Sequence, residues 1–135
     1  MCKICETHAT KIPYLIYESN LFIIRHSEFT KNIPAYLYIE PKRHIENYAE
    51  FTDNEFSNLG SIIQKGIEWI YEFTKPKKIY TVTISEKVPH IHFHLVPRFT
   101  EEQIGFEYLQ KAVSGEMEMN IETENIFPAI KKHFR

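Results

Sequence analysis

Residues 90–98 read His90-Ile91-His92-Phe93-His94-Leu95-Val96-Pro97-Arg98, so three histidines alternate with three large apolar side chains. Successive side chains of a β-strand point to opposite faces. The pattern therefore predicts a strand with His90, His92 and His94 on one face and Ile91, Phe93 and Leu95 on the other. Neighbouring imidazoles would stand roughly 6.5–7 Å apart, two residue rises along the strand. A helix would fan the same residues out by about 200° per two positions, leaving neither a common polar face nor a buried stripe. Three imidazoles in a row can chelate a metal, act on a phosphorus centre, or form the polar face of a solvated strand. Imidazole titrates near neutral pH, so it can attack as a neutral nitrogen and carry a proton in the next step.

The run 90–96 resembles the signature of the histidine triad nucleotide-binding family, His-x-His-x-His followed by two apolar residues, each x being apolar. Upstream, Pro34-Ala35-Tyr36-Leu37-Tyr38-Ile39-Glu40-Pro41-Lys42-Arg43-His44 is similar to the family's Pro-Gly-His strand, which ends in a Pro-Lys-x-His turn. The resemblance covers about residues 2–99. It leaves about 100–135 as a C-terminal extension of the same domain, residues 1–135 being read as one unit.

With 135 residues, 43% of them hydrophobic, the chain suffices for one core and falls short of two. A net charge of −2 supplies no basic field for duplex nucleic acid, although a small nucleotide needs only a local pocket. Lys75, Lys77 and Lys78 read as a helix-end cluster. No apolar run approaches the roughly 18 residues of a membrane span, and Met1-Cys2-Lys3-Ile4-Cys5 lacks the anatomy of a signal peptide. The expectation is a cytoplasmic protein without a membrane partner. In a reducing compartment Cys2 and Cys5 read as a metal knuckle instead of a disulfide. A structural zinc needs four ligands, and His8, His26, His44 and His90 are the candidates for the other two.

Short β-rich runs at 14–17 and 21–25 flank a hairpin turn at Glu18-Ser19-Asn20, and a third strand at 36–39 stops at Pro41. Thr52-Asp53-Asn54-Glu55 has the capping-box pattern ahead of Phe56, Leu59, Ile63, Ile67 and Ile70 at helical spacing. It predicts a helix from about Asp53 to about Phe73, ending near Pro76, with that stripe on the sheet. Strands follow at 79–84 and 90–99, then a helix capped at Thr100 running to about Val113. Residues 124–134 predict a third helix with Pro128 near its first turn, and 114–122 are left without an assigned state. The fold class is α+β: one domain, a five-stranded and mostly antiparallel sheet packed by one long helix, with C-terminal helices.

The resemblance implies the chemistry. In the family the middle histidine, here His92, attacks the α-phosphorus of a nucleotide phosphoanhydride, phosphoester or phosphoramidate, and water or another acceptor cleaves the nucleotidyl-histidine. The third, here His94, donates to a phosphate oxygen as charge builds. The phosphate side of the site is implied at Ser85, Glu86 and Lys87, with His94. In the zinc-carrying, diadenosine polyphosphate hydrolase-like branch, the ligands map onto Cys2, Cys5, His44 and His90, a closed tetrahedron with a structural role. Family members are commonly two-fold dimers, so a homodimer is implied, with Trp69 and Tyr71 open between interface and core.

The chain departs from the family in three places. Ser85, Glu86 and Lys87 stand where Gly, then Gln or Asn, then Ser are usual; an upstream Asn is absent around Ile79-Tyr80-Thr81; and Arg25-His26 stands where a ribose-binding Asp follows the second strand. Two function classes follow: a nucleotidyl hydrolase or transferase working through His92, and a non-catalytic nucleotide- or partner-binding module with a structural zinc. An open metal site made of all three histidines is disfavoured. Alternating residues on a nearly flat strand do not converge within about 2.1 Å of one ion.

Overall fold

The computed structural model describes residues 2–134. In chain order its elements are α1 (Lys3–His8), β1 (Leu15–Glu18), β2 (Phe22–His26), β3 (Leu37–Pro41), α2 (Asp53–Phe73), β4 (Lys78–Val82), β5 (Phe93–Arg98), α3 (Gly105–Ser114), α4 (Ile121–Glu124) and α5 (Phe127–His133). Short 3-10 turns occupy Phe29–Lys31 and Tyr48–Glu50. The strands form one sheet in the order β1-β2-β3-β5-β4, and all four pairings are antiparallel, so the α+β expectation holds.

Local chemistry explains the elements that position the site. At the β1–β2 hairpin the Ser19 hydroxyl accepts from the backbone N–H groups of Leu21 and Phe22, closing the turn. Helix α2 opens on a complete capping box: Thr52 Oγ1 accepts from Glu55 N, and Glu55 Oε1 accepts from Thr52 N. Its buried face is Leu59, Ile62, Gly66, Trp69 and Ile70, which packs on Leu37, Ile39 and Leu95 of the central strands. Gly66 marks the closest approach, since a Cβ there would lie 2.6 Å from Leu95 Cδ1. Phe56, expected in the stripe, is exposed and leans on Tyr48 and Phe51. Trp69 packs on Phe73, His133 and Phe134 within the same chain, whereas Tyr71 is exposed.

The sheet has two apolar faces. Phe22, Ile24, Leu37, Ile39, Phe93 and Leu95 point to α2, and Tyr36, Tyr38 and Val96 point to the other side, where Tyr108 and Ala112 of α3 cover part of it. The C-terminal elements also clasp the β2–β3 connection. Lys31 Nζ donates to Val113 O, Asn32 Nδ2 donates to Met117 O, and Phe29 packs against Phe127 and Phe134.

Strand β4, expected at 79–84, spans Lys78–Val82, and three larger differences separate the structure from the sequence reading. Strand β5 begins at Phe93, so His90, Ile91 and His92 approach the sheet without belonging to it. There the chain is drawn off the ladder toward residues 41–45, with Ile91 N donating to Ile45 O. Thr100 caps only a local turn, through Glu102 N, and α3 starts at Gly105, whose φ of +60° no continuous right-handed helix passes through. The helix expected over 124–134 is two pieces, with Pro128 in the first turn of α5. Helix α1, six residues long, went unanticipated. Among the described residues no helix is long and apolar enough to cross a membrane.

Candidate functional site

The three histidines divide between two adjoining centres. At the first, Cys2 caps the N-terminus of α1 and its Sγ accepts from Cys5 N at 3.3 Å, which brings the two thiols onto one turn of helix. His90 Nδ1 lies 3.6 Å from Cys2 Sγ and 3.5 Å from Cys5 Sγ, and His44 Nδ1 lies 3.4 Å from Cys5 Sγ. One donor atom from each of the four residues falls within 4.8 Å of all the others. Zn–S bonds near 2.3 Å and Zn–N bonds near 2.0–2.1 Å set tetrahedral S···N separations at about 3.5 Å, so the donor set already has the dimensions of a tetrahedral ion's shell.

Outer contacts aim the ligands. His90 Nε2 is 2.8 Å from Pro41 O; a carbonyl only accepts, so Nε2 carries the proton and the Nδ1 lone pair faces the thiols. His44 is exposed and directs Nε2 toward Glu46 at 3.5 Å. The other two sequence candidates are occupied elsewhere. His8 bonds Glu40 at 2.9 Å, and Glu40 in turn is held by Arg25. His26 lies between Ser27 O and Ala35 N, and burial pushes its pKa down to about 4 against the pull of the Ser27 carbonyl.

The second centre is the pair His92 and His94, with ring centroids 5.0 Å apart. His92 Nδ1 lies 2.8 Å from the His90 carbonyl, so Nδ1 holds the proton and Nε2 of the neutral ring is a free lone pair. His94 is nearly buried. Burial first, then the neighbouring His92, push its pKa down to about 4, so it is neutral at pH 7. Its Nδ1 is 2.7 Å from the hydroxyl of Tyr36, which is fully buried and whose phenol burial pushes up, well above its usual value. Were Nδ1 the protonated nitrogen, the buried Tyr36 hydroxyl would have no acceptor for its own proton among the described residues. Tyr36 therefore donates to Nδ1, and His94 carries its proton on Nε2. The hydrogen bonds set the two adjacent rings in opposite senses: the His92 contact leaves Nε2 as the open nitrogen, and the His94 contact leaves Nε2 as an N–H donor.

Around the pair, Tyr38 sets its ring edge-on to His94 at 5.2 Å and donates its hydroxyl to Glu28 Oε2 at 2.8 Å. The sequence offers Arg25-His26 where an acid is expected after the second strand; β2 ends at His26, and the carboxylate of Glu28 follows two residues later. Tyr36 was read as strand, and only its contact with His94 shows another role. Of the loop expected to face phosphate, Ser85 Oγ accepts from His92 N at 3.2 Å. Glu86 and Lys87 are exposed and make no ion pair with each other. The expectation of three imidazoles on one strand face is thus corrected. His92 and His94 stand together, and His90 turns to the thiols because its segment leaves the sheet.

Fold and site together are those of a single-sheet α+β domain built around a histidine motif. The chain belongs to the HIT family, whose HIT domain it matches over residues 11–101. It is similar to an uncharacterised HIT-like protein of Methanocaldococcus jannaschii, at 23% identity over 73% of this chain and 80% of the relative. Among solved structures it is similar to a HIT family member from Bacillus subtilis, with a TM-score of 0.67, 22% identity, and 99% and 97% of the two chains covered. It is also similar to a HIT family hydrolase from Clostridium thermocellum, with a TM-score of 0.61, 20% identity, and 78% and 96% covered. At these identities the structural likeness is one of fold.

Proposed function

We propose that the protein is a nucleotidyl hydrolase or transferase acting on dinucleoside polyphosphates or nucleoside phosphoramidates through a nucleotidyl-histidine on His92. The observation that carries this reading is the hydrogen bonding of the two adjacent rings, His92 Nδ1 to the His90 carbonyl and His94 Nδ1 to the Tyr36 hydroxyl, from which opposed tautomers follow. His92 Nε2 attacks the α-phosphorus, the bond from phosphorus to the leaving oxygen or nitrogen breaks, and the leaving group departs with its electron pair, a nitrogen leaving group taking a proton from water as it goes. Water or another acceptor then takes the nucleotidyl group, and the imidazole recovers its lone pair. His94 Nε2–H lies beside this reaction and donates to a phosphoryl oxygen as negative charge grows, a donor fixed before the substrate arrives. Glu28, held by the Tyr38 hydroxyl beside His94, is the acid proposed to meet the ribose hydroxyls, and residues 85–87 are proposed for the phosphate side.

The Cys2, Cys5, His44, His90 cluster fits zinc by donor type and by spacing. Bound there, the ion would tie α1 to residues 41–45 and to the approach of β5, with no open position for chemistry. Elemental analysis of protein purified without added metal should find about one zinc per chain.

Acid-quenched mass spectrometry after mixing with an adenosine phosphoramidate or a diadenosine polyphosphate tests the catalytic reading. A nucleotide adduct should appear on His92 and be absent from His92→Asn. The second reading, a binding module, is favoured by one observation: Glu86, in the loop proposed to face phosphate, is exposed and has no ion-pair partner among the described residues. Binding without adduct or turnover across both substrate classes would establish it instead.

A further inference from the structure

The backbone of the proposed nucleophile is held by two hydroxyl side chains where the sheet gives out. The β4–β5 ladder has its last pair at Val82↔His94, and continuing the register would set residue 84 opposite His92. That rung is missing, because Ser85 takes φ of +52° and turns the chain away. The peptide groups of His92 are nevertheless both satisfied: Thr83 Oγ1 donates to His92 O at 2.7 Å, and His92 N donates to Ser85 Oγ at 3.2 Å. The two hydroxyl oxygens lie 3.5 Å apart, which nearly closes a ring of hydrogen bonds around one residue.

We propose that Thr83 and Ser85 are positioning residues: a two-hydroxyl clamp that replaces the missing rung and sets where His92 Nε2 stands relative to His94. The inference rests on His92 being the reacting residue. The imidazole of His92 is oriented by its bond to the His90 carbonyl, and that carbonyl belongs to the same segment that lies outside β5. Nothing in the ladder fixes this segment, so the ring's position depends on what holds the peptides of residues 90–92. Displacement of a reacting group by about 1 Å costs on the order of 10² in rate. Ser85 also has a cost that points to a use. A left-handed φ is disfavoured for any residue with a Cβ and free for glycine, and the Oγ that glycine lacks is the atom bonded to His92.

Ser85→Gly separates stability from positioning, since it relaxes the backbone while removing the hydroxyl. Its melting temperature should equal or exceed wild type, while the His92 amide exchanges at least tenfold faster by NMR and kcat falls about tenfold. Thr83→Val should lower kcat comparably, and Thr83→Ser should restore it. Wild-type exchange at the His92 amide in Ser85→Gly would overturn the clamp, and faster exchange with unchanged kcat would overturn its positioning role. If wild type proves to have no turnover, the catalytic reading fails on its own, and the amide exchange still decides whether the hydroxyls hold His92.

Discussion

His90 and His92 are two residues apart on one short segment, yet they face opposite kinds of chemistry. His90 gives its Nε2 proton to Pro41 O and turns the Nδ1 lone pair to two thiols. His92 gives its Nδ1 proton to the His90 carbonyl and keeps the Nε2 lone pair free. The side chain is the same, and the role follows from which carbonyl captures which nitrogen. On the proposed function the first lone pair is spent on a structural metal, and the second stays uncommitted beside a donor.

Paired substitutions make the sharpest attempt to break this division, and they carry the largest expected effects. His92→Asn should reduce turnover by about 10⁴ or more while leaving the melting temperature and the metal content unchanged. His90→Asn should do the reverse in kind, losing the metal and lowering the melting temperature by about 10 °C, with activity lost in step with the folded fraction. Metal assay and thermal melts on the two variants read this out. If His92→Asn also lost metal, the two centres would be one site and the comparison would fail.

Next in size is Tyr36→Phe, which leaves the ring in place and removes the hydroxyl that holds His94 as an Nε2–H donor. The freed imidazole then populates both tautomers, and kcat should fall by about 10–10² with little change in KM. Nitrogen NMR of the imidazole should show wild-type His94 protonated on Nε2 and the variant mixed. A single unchanged tautomer in Tyr36→Phe would mean that something other than this phenol sets it.

Stability should fall with acid before the carboxylates titrate. His94 and His26 have pKa values of about 4 in the fold, below the ordinary 6.5 of the unfolded chain. Between those values the unfolded chain binds protons that the folded one refuses. The neutral histidines' contribution is therefore complete above about pH 6.5 and is lost as pH falls toward 4. By pH 5 the loss is on the order of 2 kcal/mol for each buried ring. Urea unfolding at pH 7 and pH 5 measures it, and His26→Gln should flatten part of the slope.

Much of the fold was readable because the signals were local. The bounds of α2 at Asp53 and Phe73 follow from the Thr52 capping box and from Pro76, and the Ile91, Phe93, Leu95 alternation does mark the face turned to α2. The resemblance implies Cys2, Cys5, His44 and His90 as metal ligands, and the structure gathers the same four into a cluster that could hold a metal ion. What escaped was set by contacts distant in sequence. Helix α1 is too short to stand alone, and it is tied down by its thiols and by His8 on Glu40. The start of β5 slid to Phe93 because residues 41–45 compete for the segment that precedes it. Tyr36, Thr83 and Glu28 carry no motif, and their parts appear only where their hydroxyl or carboxyl oxygens end up.

The smallest effect is expected at Glu86, and it bears on the comparison because it touches only one centre. The side chain is exposed, so its repulsion of an incoming phosphate acts through water and is weakened by salt. Glu86→Gln removes that charge and introduces a donor. KM for a dinucleoside polyphosphate should fall about two- to fivefold at low ionic strength, converge on wild type in about 0.5 M salt as the Debye length shrinks, and leave kcat, melting temperature and metal content alone. A kcat change would place Glu86 in contact with the reacting phosphoryl group. An unchanged KM at low salt would place the loop away from the phosphate path, leaving Glu28 and His94 to hold the substrate without it.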